Sequence, residues 1–187
     1  MSRSSHSLLV ALSLALASSL PAQNAAPAAG PDLSDPEVAH VAVTANSIDI
    51  DMAKFAQTRT TNAAVKQFAA TMITDHTAVN AQAAALASKL GVTPADNAVS
   101  QSLLTGAKQA RASLEPLHGA AFDRAYIDRE VAYHQAVLDA IDKVLIPTTE
   151  NAELRKLLTE VRPAIATHLE HAKQLRSQLG GTARSSK

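Results

Sequence analysis

The stretch Val65-Lys66-Gln67-Phe68-Ala69-Ala70-Thr71-Met72-Ile73-Thr74-Asp75-His76 decides the fold. Val65, Phe68 and Met72 recur at steps of three and four, and His76 takes the next place on the same stripe. Val79, Ala83, Leu86 and Leu90 continue it, and Gly91 ends it. That is the spacing of one buried face of an α-helix. The same arrangement returns twice. His134 stands among Phe122, Ile127, Val131, Leu138, Ile141 and Leu145, and His168 among Leu154, Leu157, Val161, Ile165, Ala172, Leu175 and Leu179. Each histidine occupies a position where the pattern asks for Leu, Ile or Val. Imidazoles converging from separate helices mean a shared polar network or a metal.

Outward from these stripes, a first helix opens at Ser34 or Asp35 as N-cap, with Pro36 and Glu37 in its first turn. Its stripe is Val41, Ala45, Ile48, Met52 and Phe55. A weaker helix covers roughly 97–115 through Leu103, Leu104, Ala107 and Leu114. Gly119 precedes the His134 helix, which is read as ending before Pro147. Thr148 or Thr149 is the expected cap of the His168 helix, and Gly180-Gly181 its expected end. The joins near 60–62 and 147–149 are short, so each links an antiparallel helical hairpin. The join over 91–118 is long and contains a helix. The expected fold is all-α: a ferritin-like four-helix bundle, two antiparallel helical hairpins joined by a long helix-containing crossover. Period-2 alternation and strand-type turns are missing.

Composition bounds the function. Residues 1–22 read as a signal peptide, with Arg3 ahead of the apolar run Leu8–Ala17 and cleavage after Ala22 or Ser19. Residues 23–34 form a Pro/Ala-rich linker, 35–180 the helical domain and 181–187 a disordered tail. The expected location is therefore periplasmic, with no transmembrane anchor after cleavage. There is no cysteine, which removes disulfides and thiolate metal sites. Acidic and basic residues balance at 17 each, so no basic surface for nucleic acid is indicated. No phosphate loop, nucleotide fingerprint or nucleophile–base pair is visible.

Several strings resemble a bacterial family of exported proteins, the domain of unknown function 4142 family. They are Ala45-Asn46-Ser47-Ile48-Asp49-Ile50-Asp51-Met52-Ala53, Val65–Ala69 with Met72–His76, Phe122-Asp123-Arg124-Ala125-Tyr126 with His134, and Pro163 with His168-Leu169. In order and spacing they run from about 36 to 179. The resemblance implies a ferritin-like fold and no particular chemistry.

Register tests whether the histidines meet. Counted from the 60–62 turn, His76 falls opposite residues near 46, about one turn from Asp49. Counted from the 147–149 turn, His168 falls opposite residues near 128, within a turn of Glu130. Glu130 and His134 share a helix face. The candidate metal ligands are therefore His76, His134, His168, Glu130 and Asp49, a set suited to iron, manganese or zinc. Asp75, Asp123 or Tyr126 would hold the second ring nitrogens. Glu37-Val38-Ala39-His40 and Glu115-Pro116-Leu117-His118 spell Glu-x-x-His, but away from the middle of the bundle. Asp49 and Asp51 cannot share one face, so at least one is solvated. Arg124, Arg129 and Asp128 read as surface ion pairs.

Three functional readings remain open. One is a binding or stress-related accessory protein holding a metal through its core histidines. Another is a non-haem metal oxidase-type enzyme, which needs a cavity beside the histidines. The third is a metal-free structural or interaction module, with an apolar patch around Leu103, Leu104 and Leu114. No protein or small-molecule partner is specified.

Overall fold

The computed structural model describes residues 32–185, with side-chain surroundings to Gly180. The expected signal peptide and most of the linker lie outside the described residues. All regular structure described is helical: α1 (Asp35–Arg59), α2 (Ala63–Leu90), α3 (Ala98–Leu114), α4 (Gly119–Ala140), a π-helical turn (Ile141–Leu145), α5 (Ile146–Thr148) and α6 (Ala152–Ser185). The long helices form a bundle in which α1 packs on α2 and α4 on α6, and the two pairs meet through α2–α6 and α1–α4 contacts.

Local chemistry sets the boundaries. Ser34 caps α1: its N–H and hydroxyl both donate to the Glu37 carboxylate, at 3.0 and 2.6 Å. Asn62 caps α2 by accepting from the N–H groups of Ala64 and Val65. Gly91 ends α2 at φ 64°, a left-handed conformation that favours glycine. The crossover then runs the length of α1. At one end the Ala95 N–H donates to the Pro36 carbonyl at 2.9 Å, and at the other Arg59 donates to the carbonyl of Leu117 at 3.0 Å and to that of Glu115. Between these ties α3 lies against α1 and α4, and Leu114 is buried.

Three boundaries differ from the sequence reading. Pro147 does not stop the His134 helix. The chain widens into a π turn, with the Ile146 N–H reaching back to Ile141, and carries Pro147 into the short α5. A proline lacks the N–H for an i−4 bond and its ring crowds that carbonyl, which a widened turn accommodates. The cap of α6 is Asn151, which accepts from the N–H groups of Glu153 and Leu154 at 2.9 and 3.1 Å. Thr149 instead is buried and donates to the Leu145 carbonyl. The backbone of α6 also continues through Gly180-Gly181 to Ser185.

The core is made from the stripes. Val38, Val41, Ile48, Met52 and Phe55 of α1 meet Val65, Phe68, Ala69 and Met72 of α2. Phe122, Tyr126, Ile127, Val131 and Leu138 of α4 meet Leu154, Leu158, Ile165, Leu169, Ala172 and Leu175 of α6. The apolar patch expected on the crossover is not formed: Leu114 is buried, Leu103 packs against the core, and Leu104 alone of the three is exposed. Among the described residues no helix is long and apolar enough to cross a membrane. Replacing Asn151 with Ala should cost about 1 kcal/mol of stability, the usual value of an N-cap. Urea denaturation would measure it, with Thr148→Ala, a half-buried position whose hydroxyl donates to the Val144 carbonyl rather than capping α6, as the milder comparison.

Candidate metal centre

Each of the four long helices places a polar side chain at the same level of this apolar interior. Asp49 comes from α1, His76 from α2, Glu130 and His134 from α4, and His168 from α6, and all five are buried. They are held there because they continue stripes of Leu, Ile, Val, Phe and Met, which carry them inward with the rest of the face. The three imidazoles gather closely, with ring centroids 5.2–5.8 Å apart. One ring nitrogen from each lies within 4.8 Å of the others, and Asp49, Glu130 and His134 form a second group of the same compactness.

The other ring nitrogen of each histidine is held from outside the cluster. His76 Nδ1 stands 2.6 Å from Asn46 Oδ1, His134 Nδ1 2.9 Å from the Glu130 carbonyl, and His168 Nε2 2.9 Å from Asp75 Oδ2. Those three oxygens accept, so each ring donates outward from that nitrogen and keeps a lone pair on the other. The remaining atoms, His76 Nε2, His134 Nε2 and His168 Nδ1, are buried and make no hydrogen bond. Asp49 Oδ2 is in the same condition. It lies 2.9 Å from His76 Nε2 without a hydrogen bond between them, and 3.7 Å from His134 Nε2, beyond hydrogen-bond distance. Nitrogen lone pairs facing a carboxylate oxygen repel unless a positive centre lies between them.

Arg129 governs the carboxylate side. Its Nη1 donates to Asp49 Oδ1 at 3.0 Å and to Glu130 Oε1 at 2.6 Å. The guanidinium lies over the Tyr133 ring, 4.0 Å from its centroid, and Tyr133 is anchored by its hydroxyl to the Ala45 carbonyl. Burial alone would push the Asp49 carboxyl up, but His76, His134 and Arg129 together hold it far below the usual carboxylate range. Burial, and then the charge of Asp49, push Glu130 up, with Arg129 opposing. Burial pushes His134 down to about 4 and lowers His168 as well. His134 and His168 are thus kept neutral, the form that coordinates.

Of the residues expected to orient the histidines, Asp75 does so. Asp123 and Tyr126 are buried but contact none of the three rings through a hydrogen bond; Asp123 Oδ1 and the Tyr126 hydroxyl have no partner. The Glu-x-x-His pairs stand apart: Glu37 caps α1, His40 lies near Asp96 at 3.8 Å, and Glu115 and His118 flank the start of α4. Asp51 is exposed, in keeping with its separation from Asp49. Arg129 is a correction: the expected surface ion pair is a nearly buried bridge between two core carboxylates. The signal that would have found it is the demand of Asp49 and Glu130 for a counter-charge. Asn46 sits opposite His76 as the register count placed it, but its amide was not singled out.

A family profile described as Domain of unknown function (DUF4142) matches residues 20–175. The chain belongs to the DUF4142 family. Among curated proteins there is no match. Among solved structures, this DUF4142 chain is similar to CopM in the Cu(II)-bound form, with a TM-score of 0.59 at 16% identity. The similarity covers 79% of this chain and 99% of that one, and at that identity it speaks to the helical fold alone.

Two outcomes follow from the electrostatics. Arg129→Ala leaves Asp49 and Glu130 buried without their cation and should cost about 3–5 kcal/mol, read by urea denaturation. The second concerns pH in the metal-free protein. Below about pH 6.5 the unfolded chain protonates at His134, whereas the folded protein does so only near 4. Stability therefore falls as pH drops from about 6.5 to 4, by roughly 3 kcal/mol from this group. Denaturation curves recorded with chelator across that range should show the slope, and His134→Gln should flatten it.

Proposed function

We propose that this protein is an exported metal-binding bundle, holding one divalent transition-metal ion on His76, His134 and His168 with Asp49 completing the set. The observation that carries this reading is the group of buried, unbonded atoms: three ring nitrogens and one oxygen each of Asp49 and Glu130, with each ring's other nitrogen already held. That outer support is the usual accompaniment of a ligating histidine. Three imidazoles and a carboxylate suit zinc, iron, manganese or copper(II) better than the soft ions that thiolates select. The Cu(II) named for CopM is that protein's ligand; it recommends copper(II) among the ions to be tried.

Glu130, expected among the ligands, is read as support: its Oε2 is buried without a hydrogen bond, but it lies 3.5 Å from His134 Nδ1, the nitrogen already held by the Glu130 carbonyl. Its Oε1 accepts from Arg129, its carbonyl holds His134, and the guanidinium supplies the positive charge on that side. This favours one ion per chain. Binding is favoured over catalysis because the cavity that reaches Asn46 is lined by none of the three histidines. Two hairpins joined by a crossover helix support a ferritin-like arrangement. Arg3 with the run Leu8–Ala17 supports export and a periplasmic role in metal handling or stress.

The test is metal analysis and titration of protein purified without affinity tag or chelator. One equivalent of zinc, copper(II), iron or manganese is expected, lost in His134→Ala and His168→Ala while the helical circular dichroism persists. Asp75→Asn should retain binding with affinity lowered roughly 10–100-fold, as removal of a supporting partner does. A folded protein that takes up none of the added ions would overturn the reading.

A further inference from the structure

Above the histidines, toward the start of α1, the bundle is not filled. A cavity of about 370 Å³ lies between α1, α2, the π turn and α6, walled by residues such as Ala42, Ala83, Leu86, Ile141, Leu158 and Val161. Protein interiors are packed to crystal-like density, and an opening of this size is well beyond ordinary packing defects. Its origin is legible in the sequence. After His76, α2 contributes no buried residue over its remaining 14 positions, Thr77–Leu90, and the side chains it turns toward the other helices include Ala83 and Ala87. The stripe still faces inward, but its small residues leave room beneath it.

We infer that this cavity is a binding site for a small, neutral, mainly apolar molecule carrying one polar end. The volume falls within the range of small-molecule pockets and is too small for a partner helix, which is about 10 Å across. The lining is dominated by Ala, Val, Leu and Ile and includes no Lys, Arg or His. Asp35, the charged residue in it, already accepts from the N–H groups of Glu150 and Asn151 at 2.9 Å each. An anionic head would meet no counter-charge there, and burying one without a partner is costly. At the histidine end the lining turns polar through Asn46 and Asn80. Asn46 Oδ1 is engaged by His76, which leaves its amide N–H groups for a neutral oxygen such as a hydroxyl or carbonyl. The π turn that widens α4 lies in the same wall, where such turns commonly accompany sites.

The experiment uses the neutral dye phenylnaphthylamine, with decanol and decanoate as competitors. Saturable dye fluorescence at one molecule per chain is expected, displaced by decanol at least tenfold more effectively than by decanoate. Ala83→Phe, which fills the cavity, should weaken dye binding at least tenfold with helical circular dichroism unchanged, and Ala42→Leu is the second, milder filling. His134→Ala should bind dye as the wild type does, which separates this site from the metal reading. The inference is overturned by absence of saturable binding in the wild type, or by unchanged binding in both filled variants. Equal competition by decanoate would overturn the neutral-head assignment. Dye binding that rises with self-association on size-exclusion chromatography would mark the opening as a contact between copies instead.

Discussion

Asp49 is fully buried, and the middle of the bundle is organised by that fact. A carboxylate moved into an apolar interior loses several kcal/mol of solvation unless it is paired and hydrogen-bonded. Here one oxygen is met by Arg129 and the other faces His76 and His134. Arg129 brings in Glu130, and Glu130 in turn fixes His134 through its carbonyl. His168 closes the group from α6 and connects it to the half-exposed Asp75. The six side chains make one electrostatic unit between apolar layers.

That unit divides into halves of different character. On one side a guanidinium bridges two carboxyl groups; on the other, imidazoles turn unbonded nitrogens toward a carboxylate oxygen. The fixed cation stands against Asp49 and Glu130, and the imidazoles gather away from it. A site arranged this way need not gather both its charges from solution, because one is part of the chain.

Much of this was legible in the sequence because period and register are local quantities. The stripe through Val65, Phe68, Met72 and His76 fixes a face, and the count from the 60–62 turn places His76 beside Asn46 and Asp49, where it is found. What escaped was chemistry that depends on who is opposite. Arg129 follows Asp128 and precedes Glu130, a string that reads as solvated until both Asp49 and Glu130 are known to be buried. Pro147 reads as a stop because a proline breaks an α-helix; the π turn that ends two residues before it is a tertiary accommodation with no signature of its own. Thr149 has the composition of a cap, but its burial diverts its hydroxyl to Leu145, and Asn151 takes the role. The cavity escaped for another reason: an alanine on a stripe predicts the face and says nothing of whether the opposite helix fills the gap.

Because the centre draws on all four long helices, it also records their alignment. A slip of one helix by a single turn displaces its side chains about 5.4 Å along the axis. The apolar layers tolerate such a slip with modest repacking, since one Leu or Val resembles the next. The polar layer does not, because the displaced residue would be replaced by an aliphatic one and its former partners left bare. A sequence rich in interchangeable Ala and Leu thereby acquires a single registration mark, read once per helix, that separates the native stacking from its near neighbours.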